Sequence, residues 1–261
     1  MNGPEMKGLR AHEIEMRFAG LVALDGVTLE APRGRITGLI GPNGAGKTTM
    51  FNVCGGFLRP TAGRVFIDGD DVTSSSPTER ARRGIGRTFQ RLELFRSLTV
   101  RENVALAAEG QLIGDGPLSQ LGLTGNTKAV RVANRELTER LISDVGLAHL
   151  ADRPAGELST GHGRLVELAR TLASRPTVVL LDEPSSGLDP VESARFGAIL
   201  RRVMNENDVA MLLVEHDMNL VLSLCDWIYV IDFGRPIFEG TADDVRHSPE
   251  VQAAYLGKAV A

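Results

Sequence analysis

The chain is poor in cysteine, has no long apolar run and carries no strong excess of charge. Each deficit excludes a class of function. Its two cysteines, Cys54 and Cys225, lack metal-ligand spacing and lie in apolar stretches, which predicts reduced core thiols and no disulfide or catalytic pair. No stretch reaches the roughly 18 apolar residues of a membrane-spanning helix. Residues 1–10 lack the apolar core of a signal peptide. Any work at a membrane is therefore expected to go through a partner. A formal net charge of −4 argues against nonspecific nucleic-acid binding as the main activity. There is no guanine-reading N-K-x-D motif, no internal repeat and no coiled-coil heptad pattern. What remains is ample apolar material, 43% of 261 residues, enough to bury a large core.

One segment stands out. Gly41-Pro42-Asn43-Gly44-Ala45-Gly46-Lys47-Thr48-Thr49 reads G-x-x-x-x-G-K-T, the phosphate-binding loop that joins a buried strand to a helix. Residues 35–40 supply the apolar strand, and residues 47–53 continue as a helix. Glycines let successive backbone N–H groups turn inward around an anion, and the helix N-terminus adds a favourable dipole. Lys47 is expected to reach the β- and γ-phosphates, and the Thr48 hydroxyl to ligate Mg²⁺.

Strand and helix patterns alternate along the chain, which predicts an α/β fold with a parallel sheet covered by helices. Ile14, Met16 and Phe18 alternate with polar residues, as do Val27 and Leu29, and residues 63–68 read as another strand. Together they predict an antiparallel layer beside the core. Residues 177–181 and 209–214 are continuous apolar runs, as strands buried on both faces require. Residues 227–231 form a further strand before a turn at Gly234-Arg235-Pro236. From about 99 to 175 the chain reads as mostly helix. There Val130, Ala133, Leu137, Leu141 and Val145 follow helical spacing, with Gly146 just past the end. Glycines between 110 and 125 mark a loop before that helix.

A second element completes the nucleotide site. The apolar run Val178-Val179-Leu180-Leu181 ends in Asp182 and Glu183. Such a strand delivers Asp182 to its C-terminal edge, where open α/β sheets bind ligands. Asp182 is the candidate to hold Mg²⁺ through a water, and Glu183 to orient or deprotonate the attacking water. A strand ending in solvated acids is the bland alternative, and the phosphate loop upstream weighs against it.

Further segments in this order resemble the ATPase subunits of ABC transporters, and the resemblance runs nearly end to end. Leu158-Ser159-Thr160-Gly161-His162 is similar to that family's signature motif. Ser185-Ser186-Gly187-Leu188-Asp189 resembles its D-loop, His216 its switch histidine and Gln90 its Q-loop glutamine. Phe18 occupies the usual place of its adenine-stacking aromatic. Taken singly, His216 and Gln90 would more often be structural or surface residues. Their order relative to the other motifs reverses that expectation.

The resemblance implies a P-loop NTPase (RecA-like) core with a flanking antiparallel β layer and an inserted α-helical subdomain. The core would span residues 1–98 and 173–261, and residues 99–172 would carry the signature motif. It further implies that two ATPases meet head to tail around two ATP molecules, as a homodimer or with a sister subunit. Gly41, Asn43, Gly44, Ala45, Gly46, Lys47, Thr48 and Thr49 would hold the phosphates. Ser159 and Gly161 would contact the γ-phosphate in trans, and Asp189 would couple the two sites. Gln90 would sense Mg²⁺ and the attacking water, and His216 would hydrogen-bond the γ-phosphate. Membrane permease subunits would dock near residues 91–95 and the helical region, which sets the chain peripherally on the cytoplasmic face of the cell membrane.

The signature departs from the family's common form, which has glycine where Thr160 stands and glutamine where His162 stands. The tail, Pro249-Glu250-Val251-Gln252-Ala253-Ala254-Tyr255-Leu256-Gly257, resembles that of ATPases driving branched-chain amino acid importers. Such importers also employ a substrate-binding protein outside the membrane. The long interval between Gln90 and Ser159 fits the same subgroup. Lipopolysaccharide-export ATPases share the tail but are more compact in that interval. Soluble ABC ATPases acting on ribosomes or DNA carry paired cassettes or long coiled coils, and neither is present here.

Overall fold

The computed structural model describes residues 6–88, 92–110 and 128–256. The alternating segment near the start forms β1 (Gly8–Phe18), antiparallel to β2 (Leu21–Pro32). Ala19 and Gly20 join them, both at positive φ, as a two-residue hairpin turn requires. With β4 (Ala62–Ile67) and β5 (Asp70–Asp71) these make an antiparallel sheet in the order β2-β1-β4-β5. Leu9, Ile14, Leu24 and Leu29 are fully buried on its inner face.

The second sheet contains β3 (Ile36–Ile40), β6 (Ile85–Arg87), β7 (Val178–Asp182), β8 (Ala210–Val214), β9 (Trp227–Asp232) and β10 (Arg235–Gly240). Its order is β10-β9-β3-β8-β7-β6, parallel except for the β9–β10 hairpin. Every residue of β3, β7 and β8 is buried, which is why these strands read as unbroken apolar runs. Met50 and Phe51 of α1 (Lys47–Gly55) pack with the antiparallel sheet and with Leu39, Val178 and Leu212 in one core cluster. The fully buried Arg80 of α2 (Pro77–Arg82) donates to the carbonyls of Val53 (2.7 Å) and Cys54 (2.8 Å), satisfying the end of α1. Cys54 and Cys225 are buried and unpaired, and burial pushes each thiol up to about 12.

The region read as helical holds α3 (Val100–Gly110), α4 (Lys128–Asp144) and α5 (Thr160–Ala173). Val104, Leu137, Leu141, Leu165 and Leu168 join them in the second core cluster. The predicted stripe on α4 is displaced: Leu137, Leu141 and Val145 are buried, but Ala133 is exposed. Asn134 takes its place on the inner face, donating to the Ala108 carbonyl at 3.3 Å, a polar contact that a search for apolar periodicity passes over. Gly146 at φ 76 ends the helix as expected. The glycine-punctuated loop lies outside the described residues.

Two further helices, α6 (Pro190–Asn207) and α7 (Met218–Leu224), follow β7 and β8. Helices α8 (Ala242–His247) and α9 (Pro249–Leu256) end the described chain, and Thr241 with Asp244 forms the expected capping box. The last hairpin turns one residue earlier than its sequence indicates. Phe233 (φ 44) and Gly234 (φ 76) make the turn, and Arg235 and Pro236 already belong to edge strand β10. Pro236 is tolerated there because an edge strand needs fewer N–H donors.

Candidate active site

The C-terminal ends of β3, β7 and β8 lie side by side, so the chain segments leaving them converge. The loop after β3 turns tightly at Gly41 (φ 154), where a Cβ would stand 2.0 Å from the Ile231 carbonyl oxygen. Gly46 (φ 104) caps α1, and a Cβ there would approach the Ala23 carbonyl to 2.7 Å. No other residue fits those two places. Lys47 is only 5% exposed, and its ammonium donates to the carbonyls of Gly41 (2.7 Å) and Pro42 (2.9 Å). The loop thus holds its cation folded over its own backbone, at the N-terminus of α1, in a geometry made for an anion.

A cleft of about 480 Å³ opens beside it, bounded by Asn43 to Thr49, Glu183 and His216. Phe18, Leu21 and Phe233 form its apolar end. Phe18 and Leu21 come from the β1–β2 hairpin, and Phe233 from the β9–β10 turn. The Gly234 N–H anchors that turn on the Ala45 carbonyl at 2.9 Å, tying it directly to the phosphate loop. Phe233 is 76% exposed at that end of the cleft.

At the end of β7, Asp182 is buried and faces Arg87 at 3.6 Å. Burial raises its carboxyl above the usual carboxylate range, with the Arg87 guanidinium opposing and the nearby Glu183 and Glu215 adding to the rise. Arg87 is itself sandwiched between the rings of Phe51 and Phe57, each 4.6 Å away, and held by Asn52 at 3.0 Å. Glu183 adopts positive φ (46) just past the strand, and its Oε1 lies 2.6 Å from Nε2 of His216. Beneath both, Glu215 is 3% exposed. One carboxylate oxygen accepts from the Ser185 N–H (2.8 Å) and the other from the His216 N–H (2.9 Å). It therefore clamps the segments after β7 and β8 to each other.

These features, a glycine-built anion loop with a buried lysine next to a strand-end carboxylate pair, are accompanied by a direct sequence match. Residues 24–186 match the family model described as ABC transporter. This chain belongs to the ABC transporter family. It is an ABC ATPase, and cassettes of this kind bind adenine nucleotides. Residues 235–261 match a second model, described as branched-chain amino acid ATP-binding cassette transporter. The cassette is 40% identical over 254 residues to the high-affinity branched-chain amino acid transport ATP-binding protein BraF of Pseudomonas aeruginosa, covering 96% of this chain and 98% of that one. It is 38% identical over 251 residues to the corresponding LivG of Escherichia coli, at 96% and 98% coverage. A solved cassette of an ABC transporter in its ADP conformation superimposes with a TM-score of 0.80 at 34% identity, covering 97% and 99% of the two chains.

The cassette's other motif residues lie outside that cleft. Ser159 is exposed and caps α5, accepting from the His162 N–H at 3.3 Å. Gly161 sits in the first turn of the same helix, where a Cβ would meet Glu192 at 3.1 Å. Asp189 caps α6, its carboxylate accepting from the N–H groups of Val191 and Glu192 at 2.8 Å each. Gln90 lies outside the described residues. The sequence pointed to no role for Glu215, Arg87 or Phe233. A signal for Glu215 existed: an acid closing a continuous apolar run, adjacent to the switch-type histidine.

Proposed function

We propose that this cassette is the ATP-hydrolysing subunit of a membrane importer for branched-chain or other hydrophobic amino acids. The single observation carrying the substrate class is the match of residues 235–261 to the branched-chain amino acid model, supported by 40% identity to BraF along nearly the whole length. The partners would be permease subunits in the membrane and a second ATPase, identical or a sister chain. Among the described residues no helix is long and apolar enough to cross a membrane, so attachment at the cytoplasmic face would come through the permease.

In this reading the loop from Gly41 to Thr49 holds the triphosphate, with Lys47 turning from its own carbonyls to the phosphate oxygens. Phe18 stacks on the base. Thr48 and Asp182 would hold Mg²⁺, with Gln90 as a further ligand. Among the described residues no cluster of three His, Cys, Asp or Glu is placed to bind a metal unaided. That fits Mg²⁺, which typically takes one or two protein oxygens, phosphate oxygens and waters. When bound, the ion would neutralise phosphate charge. Glu183 takes the proton of the attacking water, and His216, whose Nε2 lies 2.6 Å from Glu183, would turn its N–H from that carboxylate to the terminal phosphate. Ser159, Gly161 and Asp189 of a second subunit close the site from outside. ATP then holds the pair together, and hydrolysis releases it.

Affinity purification from detergent-solubilised membranes of the source cell tests this. Co-purification of a polytopic permease pair with a second ATPase and an amino-acid-binding protein is expected. Recovery of ribosomal or DNA-processing proteins with no permease would contradict the transport role.

A further inference from the structure

The first turn of α5 carries a contact that the family's common sequence does not provide. Nδ1 of His162 lies 3.3 Å from Oγ of Ser159, and the same oxygen accepts the His162 backbone N–H at 3.3 Å. We propose that His162 is a positioning residue for the phosphate contact in trans, its ring deciding whether the Ser159 hydroxyl presents a proton or lone pairs to the incoming nucleotide. This rests on the reading above that Ser159 acts across a subunit interface.

The argument follows from the capacity of a hydroxyl, which has one proton and two acceptor lone pairs. When Nδ1 carries a proton, both lone pairs of Ser159 are filled by His162, one by its amide and one by its ring. The hydroxyl proton is then left to point outward from the N-terminus of α5, where the helix dipole already favours an anion. When Nδ1 is bare, the hydroxyl proton is drawn inward to the ring, and a lone pair faces the phosphate. The first arrangement attracts the anion and the second repels it. Glutamine at this position has no such titrating ring.

The surroundings set the resting state. His149, from the short turn Ala148–Leu150, meets the His162 ring edge-on with centroids 6.3 Å apart. Arg153, ahead of α5, and Arg195, from α6, add positive charge, and Glu192 of α6 opposes them. Burial first, then His149, Arg195 and Arg153, keep the imidazole below its ordinary value, so it rests neutral at pH 7. In this proposal the resting neutral ring carries its one proton on Nε2 and accepts from Ser159 at Nδ1, and an arriving phosphate reverses that field and draws a second proton onto Nδ1. Closure of the pair therefore takes up a proton at each site, and by linkage it strengthens as pH falls.

The test compares ATP-driven pairing in two proteins, Glu183→Gln and Glu183→Gln with H162Q, by sedimentation between pH 8 and pH 6. The background substitution keeps ATP intact. The nucleotide's own phosphates and the rest of the chain are common to both proteins, so the difference in slope reports on His162. The expected result is pairing that strengthens up to about a hundredfold more per pH unit with His162 than with glutamine, the limit for two linked protons, one at each site of the pair. Equal slopes would overturn the role of His162 while leaving the trans contact standing. Absence of an ATP-driven pair at every pH, in both proteins, would overturn the proposal for two copies of this chain and remove their trans contact.

Discussion

Around the phosphate loop, the polar side chains are already engaged within the chain. Lys47 rests on two loop carbonyls, Asp182 faces Arg87, Glu183 meets His216, and Glu215 bridges two backbone segments. Around the signature segment the arrangement is opposite. Ser159 and Thr160 are exposed, and Ser159 bonds only inside its own helix turn among the contacts described. The first region is preorganised by burial and long-range pairing. The second caps a helix packed into the core and leaves its outward face exposed. The contrast teaches where the reaction chemistry can be encoded by one chain and where, in the proposed reading, it is shared.

Substitutions that break the first region should have the largest effects. Glu183→Gln is expected to lower ATP hydrolysis about 10²-fold or more while ATP still binds. Hydrolysis near the parental rate would show that another group takes the proton. Lys47→Ala should weaken ATP binding roughly 10²-fold, since two or more charge-assisted hydrogen bonds to phosphate are lost. Unchanged affinity by titration calorimetry would remove the phosphate-loop assignment. For Glu215→Gln, whose amide cannot accept from both N–H groups, turnover should fall about tenfold, the cost of one buried hydrogen bond to a charged group. Parental kinetics would show that the clamp between Ser185 and His216 is dispensable. Ser159→Ala sharpens the comparison: turnover should drop several-fold with no change in ATP affinity measured on the single subunit. An equal loss of affinity there would place Ser159 in the cis site.

The smallest effect concerns the tail. The Tyr255 hydroxyl is pushed up to about 12 by burial, opposed by the Gly41 backbone N–H, which donates to it from the start of the phosphate loop. Tyr255→Phe should weaken ATP binding only a few-fold, by one hydrogen bond of about 1 kcal/mol. If affinity is identical, the tail acts elsewhere.

Local sequence carried part of this arrangement and distance concealed the rest. The phosphate loop was legible because its glycines, lysine and threonine are contiguous and each is required by one backbone shape. Asp182 and Glu183 were legible because an unbroken apolar run announces a buried strand with a functional edge. Arg87 was not, because its meaning lies in Asp182, in a strand far along the chain that the sheet alone brings adjacent. Phe233 escaped because the turn was placed one residue late, at Gly234-Arg235-Pro236, which left it between the expected strand 227–231 and that turn. Ala133 was assigned to the inner face for a similar reason, since the true stripe runs through the polar Asn134. Asp189 shows the converse: a residue picked out by resemblance that the structure also occupies with an ordinary helix cap.

Subunit mixing tests most directly whether the site is shared between copies of this chain. Lys47→Ala retains the signature segment and loses the phosphate loop, whereas Ser159→Ala does the reverse. A mixed pair contains one complete site, formed from the loop of one and the signature of the other. The account predicts that ATPase activity of the mixture stands clearly above the average of the two variants. A mixture whose activity stays at the average of the two would contradict it.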